Sequence, residues 1–177
     1  MTQPAVSIKR RLIALLYEAL LAGAVGVPAM LLAGVAATLL NTVSYILASL
    51  AAMLIPLAVW WFYFKANWYQ KGQTLPMKVW GIGLTDAAGA RPPLRQLRLR
   101  FMWACVLIIF VPMLAYSALR HLGGIPPKPA FGAALAWWIL PWGFALFNPQ
   151  RQFLYDYLAG TRLVDARGKR KIQNPQK

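Results

Sequence analysis

Four stretches of this chain are apolar for long enough to determine its solvent. Residues 12–32, 45–64, 101–119 and 130–147 reach or approach the run of about 20 helical residues that crosses a hydrocarbon core roughly 30 Å thick. Each stretch carries one internal proline, Pro28, Pro56, Pro112 or Pro141. A proline there removes a backbone donor and invites a bend that neighbouring helices must accommodate. The fourth stretch is the shortest, and its Trp137, Trp138 and Trp142 suit aromatic belts near the ends of a span. Composition agrees: hydrophobic residues make up 59% of the chain, with 8 Trp in 177 residues, more than a soluble domain of this size can cover with polar surface. The expected fold class is an all-α membrane protein with four transmembrane helices.

Orientation follows from the basic residues. Lys9, Arg10 and Arg11 precede the first span, seven more lie between spans two and three (Lys65, Lys71, Lys78, Arg91, Arg95, Arg98, Arg100), and others follow span four. Of the 19 Lys and Arg, only Arg120 and Lys128 fall in the remaining connections. By the positive-inside rule both termini face the cytoplasm. Lys9-Arg10-Arg11 before an apolar run also has the look of a signal peptide, but Glu18 in the middle of that run and three further spans argue against cleavage. The net charge of +15 is spread over all the cytoplasmic segments and forms no nucleic-acid-binding module. Anionic lipid head groups are the expected partner.

The connection between spans two and three is expected to hold a short extended segment or hairpin near residues 77–84, then a turn containing Asp86. After Pro93 a helix should carry Arg95, Arg98 and Arg100 to the lipid–water boundary, where arginines snorkel. Asn148 before Pro149 resembles a helix start and Gly160 a stop. Between them an amphipathic interfacial helix should turn Phe153, Leu154, Tyr157 and Leu158 to one face, leaving Asp156 near its polar edge. The transmembrane domain is taken as residues 1–164, followed by a basic, disordered tail over 165–177.

Chemistry-bearing residues are few. The single cysteine, Cys105, excludes an intrachain disulfide and a multi-cysteine metal site, and His121 reads as an ordinary loop residue. There is no nucleophile with a base, no metal-ligand spacing, and no phosphate-binding glycine loop: Gly81-Ile82-Gly83 does not complete a dinucleotide fingerprint. Neither an enzyme nor a cofactor is expected. Glu18 stands apart as an acid inside the first span, because charge within a bilayer is costly and usually functional. It follows Arg11 by seven residues, so the two share a helix face about 10 Å apart along the axis. That is far for a direct pair, which makes a partner from another segment the expectation: Asp156 for Arg11, and Arg100 or Lys78 for Glu18.

Three motifs, Arg10-Arg11-Leu12-Ile13-Ala14-Leu15-Leu16-Tyr17-Glu18, Gly72-Gln73-Thr74-Leu75-Pro76-Met77-Lys78 and Gln152-Phe153-Leu154-Tyr155-Asp156-Tyr157-Leu158-Ala159-Gly160-Thr161, together resemble the RDD family of bacterial membrane proteins. That family is named for one arginine and two aspartates. The resemblance implies that Arg11 is the family arginine, that Glu18 occupies the first aspartate position and Asp156 the second, and that Arg100 matches a further arginine common at the start of span three. Two positions depart from the pattern: Glu18 lengthens the acid by one methylene, and Pro76 replaces a usual glycine.

The resemblance also implies a multi-pass protein of the bacterial inner membrane and a function in exchanging monovalent cations for protons, with Arg11, Glu18 and Asp156 as the relay. The alternative is a non-catalytic scaffold holding lipid or protein, in which Arg11 anchors span one at the interface and the acids form packing pairs. Four helices are few for alternating access. Exchange would therefore call for a homo-oligomer, with Ala19/Gly23 and Ala22/Gly26 offering small-residue contacts.

Overall fold

A computed structural model of the chain describes residues 6–167. The protein is mostly helical, and among the described residues four helices are long and apolar enough to cross a membrane: Ile8–Asn41, Tyr45–Val79, Leu94–His121 and Pro127–Phe147. Leu16, Leu31, Phe62, Leu114 and Ile139 on these helices are exposed, as side chains are when hydrocarbon rather than water is the solvent. The described residues divide into two compact units, one spanning Lys9–Trp80 and the other combining residues 6–8 with 81–167.

In the Lys9–Trp80 unit, α1 covers Ile8–Asn41, nine residues beyond the expected end at residue 32. The extension is alanine- and leucine-rich, good helix-forming sequence, and nothing breaks it before the turn at residues 42–43. Ser44 then precedes α2, Tyr45–Lys65. The two helices meet where Trp60 Nε1 donates to the Ala22 carbonyl at 2.9 Å. The indole lies against Gly26, where an added Cβ would come within 3.0 Å of the ring. The small pair Ala22/Gly26, expected to serve oligomerisation, thus receives an indole of the same chain. The other pair, Ala19/Gly23, is exposed. After α2 a π-helical turn, Ala66–Lys71, ends at Gly72 in the left-handed region, and α3 follows at Leu75–Val79.

In the other unit, β1 (Ile82–Asp86) leads through a turn in which Asp86 Oδ1 accepts from the Ala90 amide at 2.8 Å. Asp86 is therefore a turn residue, as its context indicates. The third span consists of α4 (Leu94–Cys105), a π-turn at Val106–Phe110, and α5 (Val111–His121). The fourth consists of α6 (Pro127–Ala136) and α7 (Ile139–Phe147).

Backbone accounting explains how these last two spans join. In the π-turn the Val111 amide bonds the Val106 carbonyl five residues back, passing over Leu107, and Pro112 has no N–H to give Ile108 four residues before it. Two indoles meet these carbonyls: Trp137 Nε1 donates to Leu107 O at 2.8 Å and Trp138 Nε1 to Ile108 O at 3.0 Å. Instead of forming part of an interfacial belt, this tryptophan pair sits at the α6–α7 junction and ties span four to span three.

The C-terminal region departs furthest from expectation. Asn148 Oδ1 accepts from the Gln150 amide at 2.8 Å, an Asx-type turn, and Arg151 adopts φ 52°. The first is a bond that an N-cap would also make to the second helical residue, but the left-handed Arg151 takes the chain off the helical path two residues after Pro149. Helix α8 is therefore only Leu154–Leu158, and Gly160, at φ 68°, ends the segment as expected. Its inward side carries Phe153, Tyr155 and Asp156, whereas Tyr157 and Leu158 are exposed, so the amphipathic face is not the expected one. A second strand, β2 (Thr161–Asp165), pairs antiparallel with β1, with Gly83 opposite Val164 and Leu84 opposite Leu163. Of the segment expected to be extended near 77–84, residues 77–79 belong to helix α3 and only 82–84 to a strand, which pairs with sequence about 80 residues away along the chain, not with a local hairpin arm. Asp165, assigned to the tail, ends this strand, and the Ala166 amide bonds Gly81 O at 2.9 Å. The rest of the expected tail, 168–177, lies outside the described residues.

The indole bonds lead to a prediction. Trp138→Phe should lower unfolding stability by about 1 kcal/mol. In a Pro112→Ala background that cost should shrink, because the substituted alanine has an N–H to offer Ile108 O. A double-mutant cycle of thermal unfolding in detergent measures both.

Candidate functional site

The sequence-derived site residues fall in two places. In the Lys9–Trp80 unit, Glu18 is half-buried on α1 and accepts a hydrogen bond from Tyr63 OH at its Oε1, 3.2 Å. Its Oε2 accepts from Thr74 Oγ1. Thr74 is held by local sequence: left-handed Gly72 turns the chain out of the π-turn, and Thr74 becomes the N-cap of α3, with the Met77 amide 3.5 Å from its hydroxyl oxygen. A threonine hydroxyl can accept from that amide and donate its own proton elsewhere. Pro76, the departure from the family pattern, sits within the first turn of α3, where a missing N–H leaves no intrahelical bond unmade.

The expected partners of Glu18 fare differently. Lys78, on α3, is exposed and makes no ion pair among the described residues, so it does not serve as the counter-ion. Arg100 belongs to the second cluster. Arg11 is only 2% exposed, which disagrees with an interfacial anchor, since a snorkelling arginine keeps its head in water.

In the second unit, Arg100 Nε donates to Asp156 Oδ1 at 2.7 Å, the side chains being 7% and 0% exposed. Arg100 is thus a buried ion-pair partner, whereas Arg95 and Arg98 of the same helix are exposed. The Arg100 guanidinium carbon also stands 5.7 Å from the Tyr155 ring centroid, within cation–π range. Thr161 Oγ1 reaches the same Asp156 oxygen at 3.2 Å, and Gln152 Nε2 donates to Thr161 O at 2.7 Å. The pair joins α8 to the beginning of span three, and Thr161 ties it to the start of β2. Asp156, expected on a polar edge and offered to Arg11, is instead completely buried and takes Arg100.

The two acids therefore differ in surroundings. Asp156 is sealed from solvent against a guanidinium. Glu18 is half-buried, and its oxygens are met by the hydroxyls of Tyr63 on α2 and of Thr74 in the link before α3, a cluster of oxygen atoms against the first span. Oxygen sets of this kind suit hard cations, while His/Cys sets suit transition metals. Among the described residues no group of three or more His, Cys, Asp or Glu could hold a metal ion. Tyr63 and Thr74 were absent from the sequence-derived site. Thr74 lay within a motif already marked by the resemblance, but Tyr63 had no signal beyond its place in an apolar run.

Four membrane-crossing helices, a buried arginine–aspartate pair and an intramembrane acid define the class: a multi-pass helical membrane protein. The model of the RDD family matches residues 5–160, and the chain belongs to the RDD family. Comparison with curated proteins and with solved structures found no match.

Asp156→Asn should lower stability by about 3 kcal/mol or more, since it leaves a buried guanidinium without its counter-charge. Replacing both partners, as Arg100→Met with Asp156→Leu, should recover much of that loss. Thermal unfolding of the two variants beside wild type tests it.

Proposed function

We propose that this protein exchanges monovalent cations for protons, with Glu18 as the exchanging group. The observation that carries the reading is the oxygen cluster of Glu18, Tyr63 and Thr74 within the first two spans. Hydroxyls adapt to either occupant of a carboxylate: they rotate to accommodate a proton, or turn their lone pairs to a small cation. An exchanging acid must also be reached by its ions. Glu18 is half-buried, whereas Asp156 is sealed at 0% exposure. Asp156 with Arg100 is accordingly the structural member of the family signature, and Arg11 supplies a buried positive charge on the helix that carries Glu18. The distribution of basic residues supports a chain with both termini in the cytoplasm of a bacterial inner membrane. The exposed Ala19/Gly23 pair supports association of copies.

Wild-type protein reconstituted in vesicles with an internal pH dye should show proton flux on addition of Na⁺, Li⁺ or K⁺. Glu18→Gln should reduce it to the level of empty vesicles, and Tyr63→Phe or Thr74→Val should weaken the cation dependence by roughly tenfold each, the value of one hydrogen bond to a charged group. Undiminished flux in Glu18→Gln would sink the exchange reading. A wild type without flux for any of the three cations would favour the scaffold.

A further inference from the structure

Where span four ends, the chain folds around an open pocket of about 360 Å³ lined by Asn148, Gln150, Gln152, Tyr157, Gly160 and Arg162. The described residues of its wall include one cation and no acid. Arg162 lies on β2 opposite Thr85, and its guanidinium makes no ion pair among the described residues. This contrasts with Arg100, whose charge is met by Asp156 at 2.7 Å.

The wall is built from amides already committed to one another. Asn148 Nδ2 donates to Gln152 Oε1 at 3.2 Å, Asn148 Oδ1 accepts from the Gln150 amide at 2.8 Å, and Gln152 Nε2 donates to Thr161 O at 2.7 Å. The side-chain amide of Gln150, the hydroxyl of Tyr157 and the guanidinium of Arg162 are left as donors at the pocket. A phosphate diester carries a single negative charge and only acceptor oxygens, so it matches a set of one cation and neutral donors.

The surroundings say what the phosphate is attached to. Span four ends at Phe147, which is 87% exposed, and Leu146 beside it is 69% exposed. The Tyr157 ring packs on Phe144 of α7, centroids 5.3 Å apart. Polar donors therefore stand directly beside the apolar end of a membrane-crossing helix, where a phospholipid changes from head group to acyl chain.

We propose that this pocket binds the phosphate of an anionic phospholipid, with the acyl chains along Leu146 and Phe147. The site does not depend on cation exchange, and Glu18 has no part in it. Purified protein titrated with phosphatidylglycerol, and separately with phosphatidylcholine, is read by native mass spectrometry. The wild type should retain phosphatidylglycerol in preference to phosphatidylcholine. Arg162→Gln should weaken retention about fivefold, the worth of one basic residue at a lipid surface, while Arg162→Lys keeps most of it. Arg98→Gln, which removes an exposed charge elsewhere, should leave it unchanged.

Equal losses in Arg162→Gln and Arg98→Gln would show diffuse attraction to the whole basic surface and overturn the site. Displacement of the lipid by excess inorganic phosphate would assign the pocket to free phosphate and overturn the lipid. Should Arg162→Gln fail to fold, as judged by thermal unfolding without lipid, the double variant Gln150→Ala/Tyr157→Phe must show a comparable loss of retention. Wild-type retention in that double variant would overturn the proposal.

Discussion

Hydrocarbon offers no hydrogen bonds, so each polar group carried into a span has to be met by another group of the chain. This requirement accounts for the contacts that organise both units. Pro112 and the π-turn before it leave two carbonyls that indoles from span four meet. The Trp60 indole in turn finds the Ala22 carbonyl at the point where Gly26 lets the ring approach. Tryptophan serves well here because it combines a large apolar ring with a single N–H, and that donor can be given to a carbonyl without leaving another polar atom to satisfy.

The same constraint decided what could be read from the sequence. The four spans were legible because crossing a membrane demands length and apolarity, and both are local properties of the chain. The stop at Gly160 and the turn at Asp86 were legible because they depend on one or two residues. The partners of the polar groups were not. Trp137 and Trp138 look like belt residues until the π-turn opposite them is known, and Asp156 looks like a surface acid until Arg100 is brought to it across 56 positions of sequence. Strand β2 escaped notice because its five residues, Thr161–Asp165, have no periodicity strong enough to identify a strand without β1 beside them. The helix expected from Pro149 failed for a local reason: Asn148 bonds the Gln150 amide as a cap would, but Arg151 turns to φ 52° and the chain leaves the helical path before α8.

The resemblance placed Arg11, Glu18 and Asp156 in one signature, and the fold gives its two acids different surroundings. A carboxylate against a guanidinium at 2.7 Å in a fully buried site has no exposed surface, and removing its partner is expensive. A half-buried carboxylate with a hydroxyl on each oxygen has contacts that can be rearranged by rotating an O–H bond. The first arrangement fixes structure, whereas the second is the one on which the proposed exchange rests. That difference, more than the presence of two acids in a membrane, is why Glu18 carries the functional proposal and Asp156 does not.

The two departures from the family pattern also belong to one local arrangement. Tyr63 and Thr74 approach Glu18 from different elements, α2 and the start of α3. Glutamate carries its carboxylate one carbon–carbon bond, about 1.5 Å, further from α1 than aspartate would. Whether that reach meets a hydroxyl depends on where Thr74 stands, and Thr74 is placed by left-handed Gly72 on one side and by its cap on α3 on the other. Proline at position 76 fixes φ in the first turn of that helix, which restricts the segment Thr74 caps. The two positions that the resemblance marks as departures, Glu18 and Pro76, therefore belong to one neighbourhood, the acid that accepts from Thr74 and the first turn of the helix that Thr74 caps.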